Sequence, residues 1–109
     1  MTGVQTCALP ILFSRFIEAQ GRNGDALLAI STSGGSANVV KAAEQAKKLG
    51  VKVIALTGRP DAKLKAYADI HICTPAATPY ADRVQELHIK VIHTLIELCE
   101  RKLFAANYR

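Results

Sequence analysis

The sequence predicts an α/β fold, a parallel sheet between helices in three layers. Three observations predict it. Apolar strand-like runs alternate with amphipathic helical stretches along the whole chain. The first strand, Leu27 to Ser31, is a continuous apolar run, the kind found in parallel strands buried on both faces. Half of the 109 residues are hydrophobic and no linker divides them, which suits one domain with one core.

Taken in order, Phe13, Phe16 and Ile17 mark one face of a short helix that stops near Gly21, and Asn23-Gly24 makes a turn. Leu27 to Ser31 follows as a strand. The next helix, Ala37 to Leu49, turns Val40, Ala43 and Ala46 inward and Lys41, Glu44, Lys47 and Lys48 outward, with Gly50 as its stop. Val51 to Thr57 is a second strand ending at Gly58, and a short helix follows Pro60-Asp61. Ala68 to Cys73 is a third strand, after which Pro75 and Pro79 hold a loop extended. A final helix runs from about Asp82 to Leu103. Strand–helix–strand repeats of this kind imply right-handed crossovers.

Met1 to Ile11 fit no part of this pattern and resemble the translation of a common sequencing-library adapter. A signal or transit peptide is the rival reading, but the stretch has no basic segment and its apolar run is short. Residues 1–11 are therefore expected to be foreign, with 12–109 a partial, N-terminally truncated domain. Setting Cys7 aside leaves Cys73 on a strand and Cys99 on the long helix, without CxxC spacing, expected as buried free thiols in a reducing, cytoplasmic setting. No apolar run is long and uncharged enough to span a bilayer. The net charge of +5 is spread over Lys41, Lys47, Lys48, Lys63, Lys65 and the tail with no interleaved aromatics, which argues against nucleic acid as a partner.

The chemistry concentrates in two places. Ser31-Thr32-Ser33-Gly34-Gly35-Ser36 links a strand to a helix N-terminus, where free amides and the helix dipole attract an anion. Its hydroxyls can donate to phosphate oxygens, and its glycines admit a close approach. It lacks the Gly-Lys-Ser/Thr of the nucleotide P-loop and the Gly-x-Gly-x-x-Gly of dinucleotide sites, so a phosphate on some other molecule is expected. The structural alternative is that Ser36 only caps the helix and the glycines only shape a turn.

The last helix is the second place. Val84, Leu87, Val91, Leu95 and Leu98 form one apolar stripe, and Ile89, Ile92, Ile96, Cys99 and Leu103 form another beside it. Together they suggest burial against the sheet and against a partner, such as another subunit. His93 sits near the edge of this surface with Glu97 and Glu100 nearby, a place for an acid/base residue, while His88 lies inside it. For either histidine the plain alternative is a satisfied core or interface residue. No complete metal site can be drawn from these residues. Gln85 and His93 are roughly 80° and about 12 Å apart on an ideal helix.

Gly24 to Ser36 and Val53 to Gly58 resemble the sugar isomerase (SIS) domain, and Tyr80 to His93 is similar to the C-terminal helix of the phosphoheptose isomerase family. The resemblance spans Phe13 to Leu103. Gly35 departs from the family, which usually has Asn there. The resemblance implies a Rossmann-like fold and conversion of sedoheptulose 7-phosphate to D-glycero-D-manno-heptose 7-phosphate for bacterial surface polysaccharide. It also implies a zinc-binding homotetramer with sites between subunits. By position, Ser31, Thr32, Ser33 and Ser36 would hold the sugar phosphate, and Asp82 and Gln85 would contact substrate or metal. His93 would be a zinc ligand and the catalytic acid/base.

Placing Gln85 and His93 on one ion is strained on a regular helix, so either the helix starts irregularly near Gln85 or the two ligands serve from different subunits. The family's first strand, its Gly-Asn-Gly-Gly-Ser loop and its His-x-x-x-Glu would lie before Phe13, so the 109 residues alone are expected to be inactive. Two other functions compete: a non-enzymatic replication-initiation partner that binds the initiator DnaA, and a sugar-phosphate-sensing module. Gln85 together with His93 favours the isomerase, because the replication partner lacks the histidine.

Overall fold

A computed structural model describes residues 11–75 and 80–108. The stretch read as adapter, apart from Ile11, and Pro79 lie outside the described residues. Helix α1 covers Leu12–Gln20, strand β1 Ala26–Ser31, helix α2 Ala37–Lys48 and strand β2 Lys52–Thr57. A 3-10 turn at Lys63–Tyr67 leads to strand β3, Ile70–Cys73, and then to the long helix α3, Ala81–Leu103. A second 3-10 turn, Ala105–Tyr108, follows. The sheet is parallel in the order β1-β2-β3, with Ser31 opposite Thr57 and Thr57 opposite Cys73.

Local chemistry fixes these boundaries. Gly24 takes the left-handed turn conformation (φ 102°) that Asn23-Gly24 predicts. Helix α2 ends in a Schellman motif: the Gly50 amide donates to Lys47 O at 3.2 Å and the Val51 amide to Ala46 O at 2.9 Å, with Gly50 at φ 77°. Lys47 and Lys48 sit in the same last turn, where the helix dipole favours cations. Strand β3 begins two residues later than expected. Ala68 still closes the 3-10 turn by donating to Lys65 O, and Asp69 holds β2 from the side. The Asp69 amide donates to Val53 O at 2.8 Å, and its carboxylate accepts from the Val53 amide at 2.8 Å.

Ala29, Ala43, Ala46, Val51, Val53, Ala55 and Leu64 form the core between the sheet and α2. Ile17 of α1 and Leu27, Val39 and Leu49 pack around it. Each fully buried Val or Leu contributes about 1.5–3 kcal/mol, so Val53 and Leu64 anchor the layer pair.

The opposite sheet face corrects the sequence reading. β1 is not buried on both faces: Leu28 is 37% exposed and Ile30 39%, and on β3 Ile70 is 55% exposed. Side chains alternate along a strand, so these residues share a face with Leu56, which is fully buried. The difference is α3, which packs on the sheet chiefly at β2, with Val84 and His88 its buried residues. β1 is also an edge strand among the described residues. Phe13 and Phe16 of α1 flank it, with Leu28 and Ile30, in an apolar groove of about 320 Å³.

The apolar surface of α3 is correspondingly open. Val84 and His88 are its buried residues, while Ile89, Ile96, Leu98 and Leu103 are exposed. Cys73 is half-buried and Cys99 exposed, both as free thiols. The expectation of two buried thiols therefore fails at Cys99, which stands exposed on α3.

Candidate functional site

The Ser31–Ser36 loop closes on itself through its own hydroxyls. Ser31, at the buried end of β1, accepts the Gly34 amide on both its carbonyl oxygen (3.1 Å) and its Oγ (3.0 Å). Its Oγ also pairs with Ser36 Oγ at 2.9 Å, and Ser33 Oγ accepts from the Gly35 amide at 3.2 Å. Gly34 is left-handed (φ 71°), and a Cβ there would overlap the Ala62 Cβ. Its carbonyl accepts from the Leu64 amide at 3.0 Å, tying the loop to the 3-10 turn. Gly35 differs: a Cβ would meet nothing within 4 Å, so the position is open to a side chain.

Ser36 occupies the N-cap position of α2 but its hydroxyl makes no cap bond; it turns to Ser31 instead. The capping alternative therefore does not explain it. The first turn of α2 contains no acidic residue. The Val39 amide in that turn donates to Asn38 Oδ1 at 2.9 Å and to Ser36 O at 3.1 Å, while the positive end of the dipole is left without a compensating charge from its own turn. A phosphate beside Thr32, Ser33 and Ser36 would supply one.

A second joint brings α3 to this loop. Gly58, just past β2, donates its amide to Thr32 O at 2.9 Å. A Cβ on Gly58 would stand 2.8 Å from that oxygen and 2.9 Å from Val84 Cγ1. Only glycine lets the loop, the end of β2 and the first turns of α3 meet so closely. Asp82 and Gln85 flank Val84 in sequence, and both are exposed. The Asp82 carboxylate accepts from the Arg83 amide at 3.0 Å.

His93 is exposed and lies apart from the loop. It is nine residues beyond Val84, about 13.5 Å along the axis. It shares a cleft of about 440 Å³ with Thr94, Ile96, Glu97, Glu100 and Tyr108. Tyr108 returns to the helix from the C-terminal 3-10 turn, donating to Glu100 Oε2 at 3.0 Å while the Arg101 guanidinium lies 4.3 Å from its ring centroid. The Glu100 bond raises the phenol's pKa above its ordinary value of 10.0. The sequence offers no local signal for this return, because it depends on where the chain goes after Leu103. Gly58 has one, a glycine closing an apolar strand.

The structure thus pairs Ser31 with Ser36, ties the loop through Thr32 and Gly58 to the Val84 turn of α3, and leaves His93 outside that group. Helix α3 is α-helical from Ala81 onward, which removes the irregular start near Gln85 as a way to bring Gln85 and His93 onto one ion. They stay about 12 Å apart along the axis. Among the described residues no group of three or more His, Cys, Asp or Glu side chains is placed to hold a metal. One imidazole and one amide oxygen do not satisfy the three or four protein ligands that zinc takes. The described residues of this chain do not by themselves complete a zinc site.

No helix among the described residues is long and apolar enough to cross a membrane. Residues 8–58 match the family model of the SIS domain. A phosphoheptose isomerase of Enterobacter sp. (strain 638) is 59% identical over 92 residues, covering 84% of this chain and 47% of that protein. The solved phosphoheptose isomerase of Neisseria gonorrhoeae superposes with a TM-score of 0.76 at 41% identity, over 82% of this chain and 50% of that one. That of Francisella tularensis gives 0.74 at 35% identity, over 81% and 47%. The chain spans about half the length of the curated relatives it matches.

Proposed function

From its homology over most of its length to phosphoheptose isomerases, we propose that this chain is part of an enzyme interconverting sedoheptulose 7-phosphate and D-glycero-D-manno-heptose 7-phosphate. The observation that carries the reading is the hydroxyl-lined loop at the acid-free N-terminus of α2. There the Ser33 and Ser36 hydroxyls, with Thr32 and the first-turn amides, grip the 7-phosphate, and buried Ser31 holds the loop in shape from below. Asp82 and Gln85, beside the same joint, contact the sugar.

His93 is the proposed acid/base. Removal of a proton from C1, with a proton taken up by the C2 carbonyl oxygen, gives an enediol. Return of a proton to C2, with loss of the O1 proton, leaves an aldehyde at C1. Because His93 stands about 13.5 Å along α3 from the Val84 joint, it serves sugar phosphate held by a neighbouring copy's loop in this reading. The exposed apolar stripes of α3 support a homo-oligomer, proposed as a tetramer, and the free thiols a cytoplasmic setting. Gln85 and His93 are proposed as zinc ligands only with donors from outside this chain, and no step above passes through a metal.

The test is His93→Ala in the complete enzyme. Turnover should be abolished, with the circular dichroism spectrum unchanged. Near-normal turnover would remove His93 from the mechanism.

A further inference from the structure

His88 is 2% exposed, on the face of α3 turned to the sheet, and the chemistry proposed above does not use it. Its Nε2 lies 3.1 Å from the carbonyl oxygen of Thr57, the last residue of β2. A carbonyl only accepts, so the ring must donate, which fixes the tautomer with hydrogen on Nε2. Nδ1 is buried and has no hydrogen-bond partner among the described residues. Leaving that nitrogen unpaired carries a desolvation cost that an apolar side chain would avoid. A side chain kept for packing alone would not carry this cost.

Thr57 is where the site's elements converge. Its carbonyl also accepts the Thr74 amide at 2.9 Å, from the segment leaving β3. Its hydroxyl donates to Arg59 O at 2.9 Å and takes a hydrogen from His71 Nε2 at 2.6 Å. The next residue, Gly58, holds the loop at Thr32 and touches Val84. Val84 and His88 lie four residues apart, on one face of α3. Val84 gives the helix a non-directional contact, and His88 gives it a directional bond that sets its rotation and height.

We propose that His88 is a positioning residue, whose Nε2–H bond to Thr57 O sets α3, and with it Asp82, Gln85 and His93, in register with the hydroxyl loop. The inference rests on the isomerase reading only for what α3 presents; the joint itself stands on the geometry. It is tested in the complete enzyme by nitrogen-15 NMR of the imidazole and by amide hydrogen exchange in His88→Leu and His88→Gln.

The His88 ring should show hydrogen on Nε2 and a bare Nδ1. His88→Leu should speed exchange at Thr74 and over Val84–His88 by roughly fivefold to tenfold, the size expected for one hydrogen bond. His88→Gln, which restores a donor at similar reach, should recover most of that protection. Hydrogen on Nδ1, a leucine variant exchanging at the parent rate, or a glutamine variant no better than leucine would each overturn the proposal. Should the leucine variant fail to fold, the tautomer and the glutamine variant still decide it. None of these readouts depends on turnover, so failure of the isomerase reading would leave them unmoved.

Discussion

Two adjacent glycines should respond in opposite ways to the same substitution. At Gly34, alanine meets two penalties. The left-handed φ of 71° costs an L-residue roughly 1–2 kcal/mol. The added methyl also overlaps Ala62 Cβ and stands 3.3 Å from Thr57 Cγ2, an overpacking term of about 1–3 kcal/mol. Relief by moving the loop would strain the Leu64-to-Gly34 hydrogen bond. The sum is about 2–5 kcal/mol, a large share of the 5–15 kcal/mol that usually separates folded from unfolded states. At Gly35 the methyl meets nothing within 4 Å and φ is not positive, so Gly35→Ala should change stability by no more than about 0.5 kcal/mol. Urea unfolding followed by circular dichroism reads both. With slopes of about 1–3 kcal/mol/M, Gly34→Ala should lower the midpoint by on the order of 1 M or more and Gly35→Ala should leave it in place. Equal midpoints for the two variants would refute the claim that Gly34 is locked by its backbone and by Ala62.

Other consequences are open to direct measurement. The Asp69 carboxyl is held below its ordinary 3.8, chiefly by the Val53 amide and then by Lys52 and Lys47. A depressed carboxyl stabilises the fold above the unfolded-state value and loses that contribution as pH falls through the folded one. Acid titration of stability should therefore show a loss below about pH 3.8 that Asp69→Asn flattens; an unchanged acid limb would count against this role. Tyr108 has the opposite sign: its raised phenol favours the latched tail below pH 10.0 and gives that up as pH rises further. Tyrosinate absorbance should show one late-titrating phenol that Glu100→Gln moves back toward 10.0, and no movement would mean the tail is not latched in solution.

Much of this architecture is legible because its signals are local. The capping glycine at Gly50, the turn at Gly24 and the apolar runs of β1 and β2 each act within a few residues. The sequence therefore places them to within one or two positions. The hydroxyl loop is legible for the same reason. Burial is a different kind of property. A continuous run such as Leu27 to Ser31 shows that a strand is apolar on both faces, but not which neighbour covers the second one. Leu28 and Ile30 are open because α3 meets the sheet around β2, a fact of tertiary placement. Cys99 is exposed as well. His88 could be placed inside the apolar arc of its helix. Its acceptor, Thr57 O, lies 31 residues away and could not be read from the helix alone.

The outer edge of β1 also bears on how the chain behaves as a material. Ala26–Ser31 contains no charge and no proline, the residues that ordinarily keep an edge strand from templating another. Its outer side has no strand beside it among the described residues, and Leu28, Ile30, Phe13 and Phe16 are exposed nearby. Handled at high concentration by itself, the 109-residue polypeptide should meet a colloidal limit well before a thermodynamic one. A lysine at Leu28 should raise its solubility more than its melting temperature.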